Sequence, residues 1–464
     1  MANTKLAKQS IGAVYFRYAL PAITGMVVSS LYTVVDGIFV GRGVGGTGLA
    51  AVNIVYPFIM FQIALTMLAG IGGANLFSLY SGRNERESAN NVFCQGIAVL
   101  AGLSVIVNLG SILFAPQLCS LMGADAELLP LSVEYLRWIA LFGIIYMPGL
   151  GISIFVRNDG NPGLEMAGTL AGALVNIVLD YLFIMRFGWG IAGAAVATGI
   201  GQMISVGVFA THFLSSKSTL RLRRPVFKPR ELLKIFYNGS SSFLMEFSQS
   251  AVALSFNIVM VARLGAPGVA AYSVVMYICS IFNMVLIGVV QGAQPILSFN
   301  HGRGSESNVR KIHQLGIKTG LVLTVVFYGL VFFFGHNLAG LFSRDNPELT
   351  GMASDMMRFY FLGFFPIAVS LMNILLFQTT EQEGPSIIIS LLRCIGFIQI
   401  SLAVLPRFMG ITGIYLSFFS GELLNCLVSV FFFIAYLRKS PGVAAPQDRE
   451  AGMPASLSAV PDES

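Results

Sequence analysis

Four of the 22 acids in this chain fall inside long apolar stretches: Asp36, Asp180, Glu246 and Glu422. An ionised side chain at the centre of a bilayer-spanning helix costs at least about 2.5–3.5 kcal/mol, and a partner, a water-filled cavity or a bound proton lowers that cost. Such acids mark ion or substrate pathways rather than lipid-facing surface. Asn176 precedes Asp180 by one helical turn and shares its face, so its amide can hold the carboxylate or share its proton. The chemistry on offer is reversible binding of a proton or cation. Bland readings stand beside it: Asp36 and Asp180 also fit caps or water-facing residues at helix ends, and Glu246 also fits a structural role. Glu422 fits a packed or snorkelling role as well as a functional one.

The elements that must carry these acids follow from composition. Of 464 residues, 55% are hydrophobic and only 11% charged, against about a quarter charged in soluble domains. Apolar stretches longer than the ~20 residues that span a bilayer centre near residues 28, 64, 102, 144, 175, 203, 247, 283, 322, 364, 395 and 425. The expected fold is an all-α polytopic membrane protein with twelve transmembrane helices.

The chain also repeats itself. Gly45, Gly48, Ala50 and Ala51 return 220 positions later as Gly265, Gly268, Ala270 and Ala271, and Gly190 and Gly193 return as Gly410 and Gly413. Gly82 and Arg83 return as Gly302 and Arg303 at the same offset, while Gly73 and Asn75 answer to Gly292 and Gln294 with a one-residue slip. Glu422 stands at the duplicate position of Gln202. The halves read as two pseudo-symmetric six-helix lobes: an N-lobe over 1–216, a basic linker over 217–232, a C-lobe over 233–438 and a disordered tail over 439–464. Duplicated halves in a membrane chain point to a transporter whose site lies between them.

Orientation comes from the basic residues. Twelve spans put both termini and the linker on one side, and that side collects about three quarters of the 28 Lys and Arg, which makes it cytoplasmic. Lys217, Arg221, Arg223, Arg224, Lys228, Arg230 and Lys234 near the linker are accounted for in the same way, so no nucleic-acid partner is expected. The first apolar stretch is too long, and too directly followed by others, for a cleaved signal peptide. At 1.5 Å per residue, Asp36 lies about 37 Å along a first helix rising from near Ile11, and Asp180 about 26 Å along a fifth helix from near Gly163. Thr198, about 12 Å down helix six from Gly190, reaches a similar height in the outer half, and Glu246 lies about 22 Å into helix seven.

Several chemistries are excluded. Cys94, Cys119, Cys279, Cys394 and Cys426 have no redox or metal-ligand spacing, and His212, His301, His313 and His336 form no His-Glu-x-x-His pattern. No Gly-rich phosphate loop suggests ATP hydrolysis. The chain reads as a non-enzyme without a cofactor, in which H+ or Na+ supplies the energy. Pro21, Pro148 and Pro366 lie inside predicted helices, and Pro21 alone shares one with an intramembrane acid, which makes it the hinge candidate.

At these residues the chain resembles the multidrug and toxic compound extrusion (MATE) family, in its bacterial MepA-like branch. The resemblance rests on Ala19-Leu20-Pro21, on Val35-Asp36 through Gly41-Arg42, on Arg157 through Gly160 and Pro162, and on Asn176 through Asp180, and it extends to about Arg438. It implies a V-shaped pair of lobes in a prokaryotic plasma membrane, with alternating access and export of lipophilic, often cationic small molecules in exchange for protons or sodium. Protons are preferred here, and the expected functional unit is a monomer in membrane lipid. It also implies that Asp36, Asn176 and Asp180, with Thr198 nearby, form the N-lobe cation site, and that Glu246 is the helix-seven acid. Residues 356–380 contain no acid, so the helix-ten Asp of some branches is missing.

Other readings remain. A flippase for lipid-linked sugars or amphipathic metabolites would line its cavity with cations, for which Arg157 and Arg393 are the candidates. An intramembrane aspartyl protease would need a Gly-x-Gly-Asp motif, but Ile177, Val178 and Leu179 precede Asp180. A passive channel would need no titratable gate. The 37 Phe and 19 Met offer adaptable apolar wall for a drug cavity and cation–π contacts, although most must face lipid or pack helices.

Overall fold

The computed structural model describes residues 10–216, 218–341 and 346–439, and in these every regular element is a helix. Ten long helices come first: α1 Ile11–Gly43, α2 Gly46–Gly82, α3 Arg86–Leu113, α4 Leu129–Asn158, α5 Pro162–Arg186, α6 Gly190–Leu214, α7 Pro229–Gly265, α8 Pro267–Gly302, α9 Glu306–Gly340 and α10 Pro347–Thr379. The stretch Glu383–Arg438 follows. It breaks where Gly410 takes φ 58°, a left-handed conformation that favours glycine, giving α11 over 383–409, itself interrupted at Gly396, and α12 over 411–438. All twelve expected centres fall in these helices.

Local chemistry sets the ends. The Ser10 side chain caps α1 by accepting from Ala13 N, Asn161 caps α5 by accepting from Leu164 N, and Pro opens α5, α7, α8 and α10, where its missing N–H is harmless. Linker-facing turns repeat as well: Asn84 and Gly304 share positive φ, and α3 and α9 start two residues later in each half, at Arg86 and Glu306.

The lobes meet by close backbone approach. A Cβ on Gly72 of α2 would stand 2.0 Å from the Ile235 carbonyl and 2.8 Å from Gly239 N of α7, and one on Gly292 of α8 would stand 2.5 Å from Ala19 Cα of α1. These are the same contact in the two halves, since 72 and 292, like 19 and 239, differ by the repeat offset. Gly82 against the Phe299 carbonyl and Gly302 against the Leu79 carbonyl close the pattern. The expected one-residue slip is therefore wrong: Gly72, not Gly73, is the partner of Gly292. The slip came from matching Gly-Ala pairs by type, whereas packing selects the glycine that faces the other lobe.

The linker is strapped to α3. Asn90 exchanges hydrogen bonds with the Arg221 backbone (2.7 and 2.8 Å), and Asn91 does the same with Val226 (2.9 and 3.1 Å). Leu220 is buried in the N-lobe core cluster that includes Ala89 and Phe93 of α3. Helix α7 opens at Pro229, so the non-helical connection is shorter than the expected 217–232. Lys217 and the tail from residue 440 onward lie outside the described residues.

Candidate ion-coupling site

Asp36 lies on α1 and Asp180 on α5, where the α-helical hydrogen bonding ends and a π-helical turn, Tyr181–Arg186, begins. Single π turns of this kind concentrate at functional sites because they free backbone groups and re-aim side chains. The turn packs beneath the end of α1, where a Cβ on Gly43 would collide with Ile184. This packing holds the two acids together.

The two carboxyl groups are within hydrogen-bonding reach of one another, and the Asn176 side chain is the other close polar neighbour of Asp180. Asp180 is fully buried, and Asp36 is part-buried with Oδ1 enclosed. Asp36 Oδ1 and both Asp180 oxygens lack a well-formed hydrogen bond from any described donor. Asn176 donates to Thr198 Oγ1 of α6 at 3.5 Å. That reach exists because Gly172 and Gly201 bring α5 and α6 into backbone contact: a Cβ on Gly201 would lie 2.7 Å from the Gly172 carbonyl. The four N-lobe residues read from the sequence thus converge. Two carboxyl groups so placed are satisfied by a proton between them or by a small cation.

Three tyrosines that sequence reasoning missed complete the surroundings. Tyr135 of α4, 4% exposed, lies in electrostatic range of Asp36 and Asp180, and Tyr32 of α1 in range of Asp36 and of Tyr56 on α2. Tyr56 in turn lies in range of Glu246 on α7. Glu246 is part-buried. An uncharged Tyr inside an apolar helix carries no sequence signal that separates it from core.

Pro21 sits in α1 between two clamps, since α8 abuts Ala19 through Gly292 and Ile23 through Gly288. Glu422 is elsewhere, in the C-lobe, accepting from Arg393 Nε at 2.7 Å. Duplication has not copied the site: Asp36 and Thr198 answer to Phe256 and Phe418, and the latter stacks on Tyr360 with ring centroids 4.0 Å apart.

The lobes are locked at the linker end. Arg157, 1% exposed, donates to Glu165 (2.6 Å) within the N-lobe and to Gln291 (2.7 Å) across the seam. Gln294 donates to Asn75, and Asn75 to Asn238, each at 2.7 Å. Every interlobe hydrogen bond among the described residues falls in this half. The half with Asp36 and Tyr56 carries none of them.

Two six-helix lobes locked at one end, with a buried acid pair in one lobe toward the other end, define a membrane transporter. The chain belongs to the MatE family, whose profile matches residues 21–182 and 242–405. It is 26% identical over 434 residues to the multidrug export protein MepA of Staphylococcus saprophyticus, covering 93% of this chain and 94% of that protein. Among solved structures it resembles a MATE multidrug resistance transporter of the MOP superfamily in an outward-facing conformation (TM-score 0.86, 23% identity, 94% and 98% of the two chains). A MATE protein in a bent conformation is as similar (TM-score 0.85, 23% identity, 94% and 98%).

Proposed function

We propose that this protein exports small lipophilic, often cationic compounds across the plasma membrane in exchange for protons, by alternating access, with both termini on the cytoplasmic side and the monomer as the working unit. The observation that carries the reading is the facing pair Asp36 and Asp180, buried together without a basic partner among the described residues. A site that holds a proton in one state and releases it in the other must change its affinity between states. The α1 segment between the clamps at Ala19 and Ile23 is what can move Asp36 relative to Asp180, with Pro21 as the bend.

Glu246 and Tyr56 lie in range of one another across the two lobes, and an acid beside an aromatic face suits a lipophilic cation. Protonating the acid pair removes negative charge from the N-lobe side and weakens the hold on that cation. Sodium is the competing ion, because Asp36, Asp180, Asn176 and Thr198 also supply an oxygen set. The flippase reading loses support, since Arg157 and Arg393 are each engaged by a carboxylate instead of lining a cavity. Efflux of a cationic dye from vesicles, with proton and sodium gradients imposed separately, tests the proposal: a proton gradient alone should drive it. Transport driven only by sodium would reassign the ion, and transport indifferent to both would reject coupled exchange.

A further inference from the structure

The C-lobe interior contains an ionisable track that the N-lobe site does not use. On α12, Glu422, Asn425 and Ser429 follow at spacings of three and four residues and share one face. Glu422 is 0% exposed; Oε1 accepts from Arg393, while Oε2 is buried with no hydrogen-bond partner among the described residues. Asn425 is also 0% exposed, with both amide atoms buried and unpartnered among the described residues. One turn further, Ser429 donates to the Cys426 carbonyl at 2.8 Å and accepts from Asn373 of α10 at 3.0 Å, and Asn373 Oδ1 lies 2.9 Å from His313 Nε2 of α9. His313 is 2% exposed and packs on Phe433, about 10 Å along α9 from its linker-side start.

Stability does not account for this arrangement. A buried ion pair is seldom better than an apolar pair of similar volume, and unpartnered buried amide atoms are costly. Nor is the track inherited from the duplication, because Glu422, Ser429 and His313 answer to Gln202, Phe209 and Phe93. Each lobe carries an ionisable cluster that the other lacks.

We propose that Glu422 is a second proton-binding site reached from the linker side along the polar line of Asn373, Ser429 and Asn425, with His313 as the group that takes up and releases the proton and the amides and hydroxyl lining its route. One proton moves and no covalent bond breaks: the carboxylate gains the proton on Oε2, the oxygen that Arg393 leaves free, and the Arg393 bond becomes one to a neutral acid. Among the described residues, the titratable groups near Glu422 are Arg393 from α11, which contacts it, and, in electrostatic range, Tyr360 from α10 and Cys426 on its own helix. A metal ion is disfavoured by the adjacent guanidinium, and no described cluster of three His, Cys, Asp or Glu exists to hold one.

The proposal goes beyond the N-lobe site, and its test is separable from it. Wild-type full-length protein in liposomes is treated with a hydrophobic carbodiimide, which reacts with protonated carboxyl groups, across a pH series, and Glu422 modification is read by peptide mass spectrometry. Labelling should rise as pH falls, by up to tenfold per pH unit on the titrating limb, and should persist in an Asp36→Asn/Asp180→Asn double variant even though that variant has lost efflux. His313→Phe, the residue of the other half, should leave the extent of labelling at equilibrium intact while slowing proton uptake after a pH jump by at least about tenfold, the factor that 1.4 kcal/mol of barrier represents. Absence of label at Glu422 at every pH, pH-independent label, or unchanged uptake in His313→Phe would overturn the proposal. Normal efflux in the Asp variants would instead count against the N-lobe reading alone.

Discussion

Arg157 of α4 donates to Gln291 of α8 at 2.7 Å, a charge-assisted bond that spans the two lobes and must break for the linker end to open. Gln291→Ala removes this bond while leaving the Arg157–Glu165 pair intact. A hydrogen bond to a charged group contributes about 1.5–3 kcal/mol, so the equilibrium should shift roughly tenfold or more toward the linker-side-open state. A Ser78→Cys reporter, buried in the same half, should then react faster with thiol reagent applied from the linker side. An unchanged labelling rate would mean that the seam bond does not gate.

The glycine seam makes a sharper steric prediction. Gly72→Ala and Gly292→Ala each place a methyl group against backbone of the other lobe, at 2.0 Å from Ile235 O and 2.5 Å from Ala19 Cα, whereas Gly207→Ala meets nothing within 4 Å. The first two should cut efflux severely at matched membrane levels, and the third should behave as wild type. Equal activity in all three would show that the lobes do not approach this closely during transport.

Most of the fold could be read from residues because a bilayer penalises polar backbone and charge so strongly that span positions follow from hydropathy. Asp36, Asp180 and Asn176 stood out for the same reason. What could not be read depends on contacts between helices. Asn75, Asn238 and Gln294 look like ordinary amides until the seam joins them, and Tyr135 looks like core. Arg393 and Glu422 sit on different helices with no periodic relation, so their pairing is tertiary information. The slip assigned to Gly73 was a residue-type match that backbone packing overrules.

Topology is testable with exposed positions on both sides. Thr47→Cys, at the start of α2, should be labelled by a membrane-impermeant thiol reagent in intact cells, and Arg224→Cys, exposed on the linker, should be shielded. The reverse pattern would invert the assigned orientation.

Glu246→Gln keeps size and hydrogen bonding while removing the charge opposite Tyr56. Export of some cations should fall several-fold, while neutral lipophilic substrates are less affected and membrane levels stay normal. Wild-type rates and pH dependence for every cation tested would make Glu246 structural.

The central claim is that Asp36 and Asp180 bind the coupling ion as one unit. Either Asp→Asn change keeps shape and fixes the neutral form, so residues acting as a unit should be non-additive, with the double variant little worse than either single one. The direct measurement is dye efflux under an imposed pH gradient in vesicles, with protein levels matched, for Asp36→Asn, Asp180→Asn and the double variant. The account predicts a steep, nearly equal loss in all three; near-normal efflux in both single variants would contradict it.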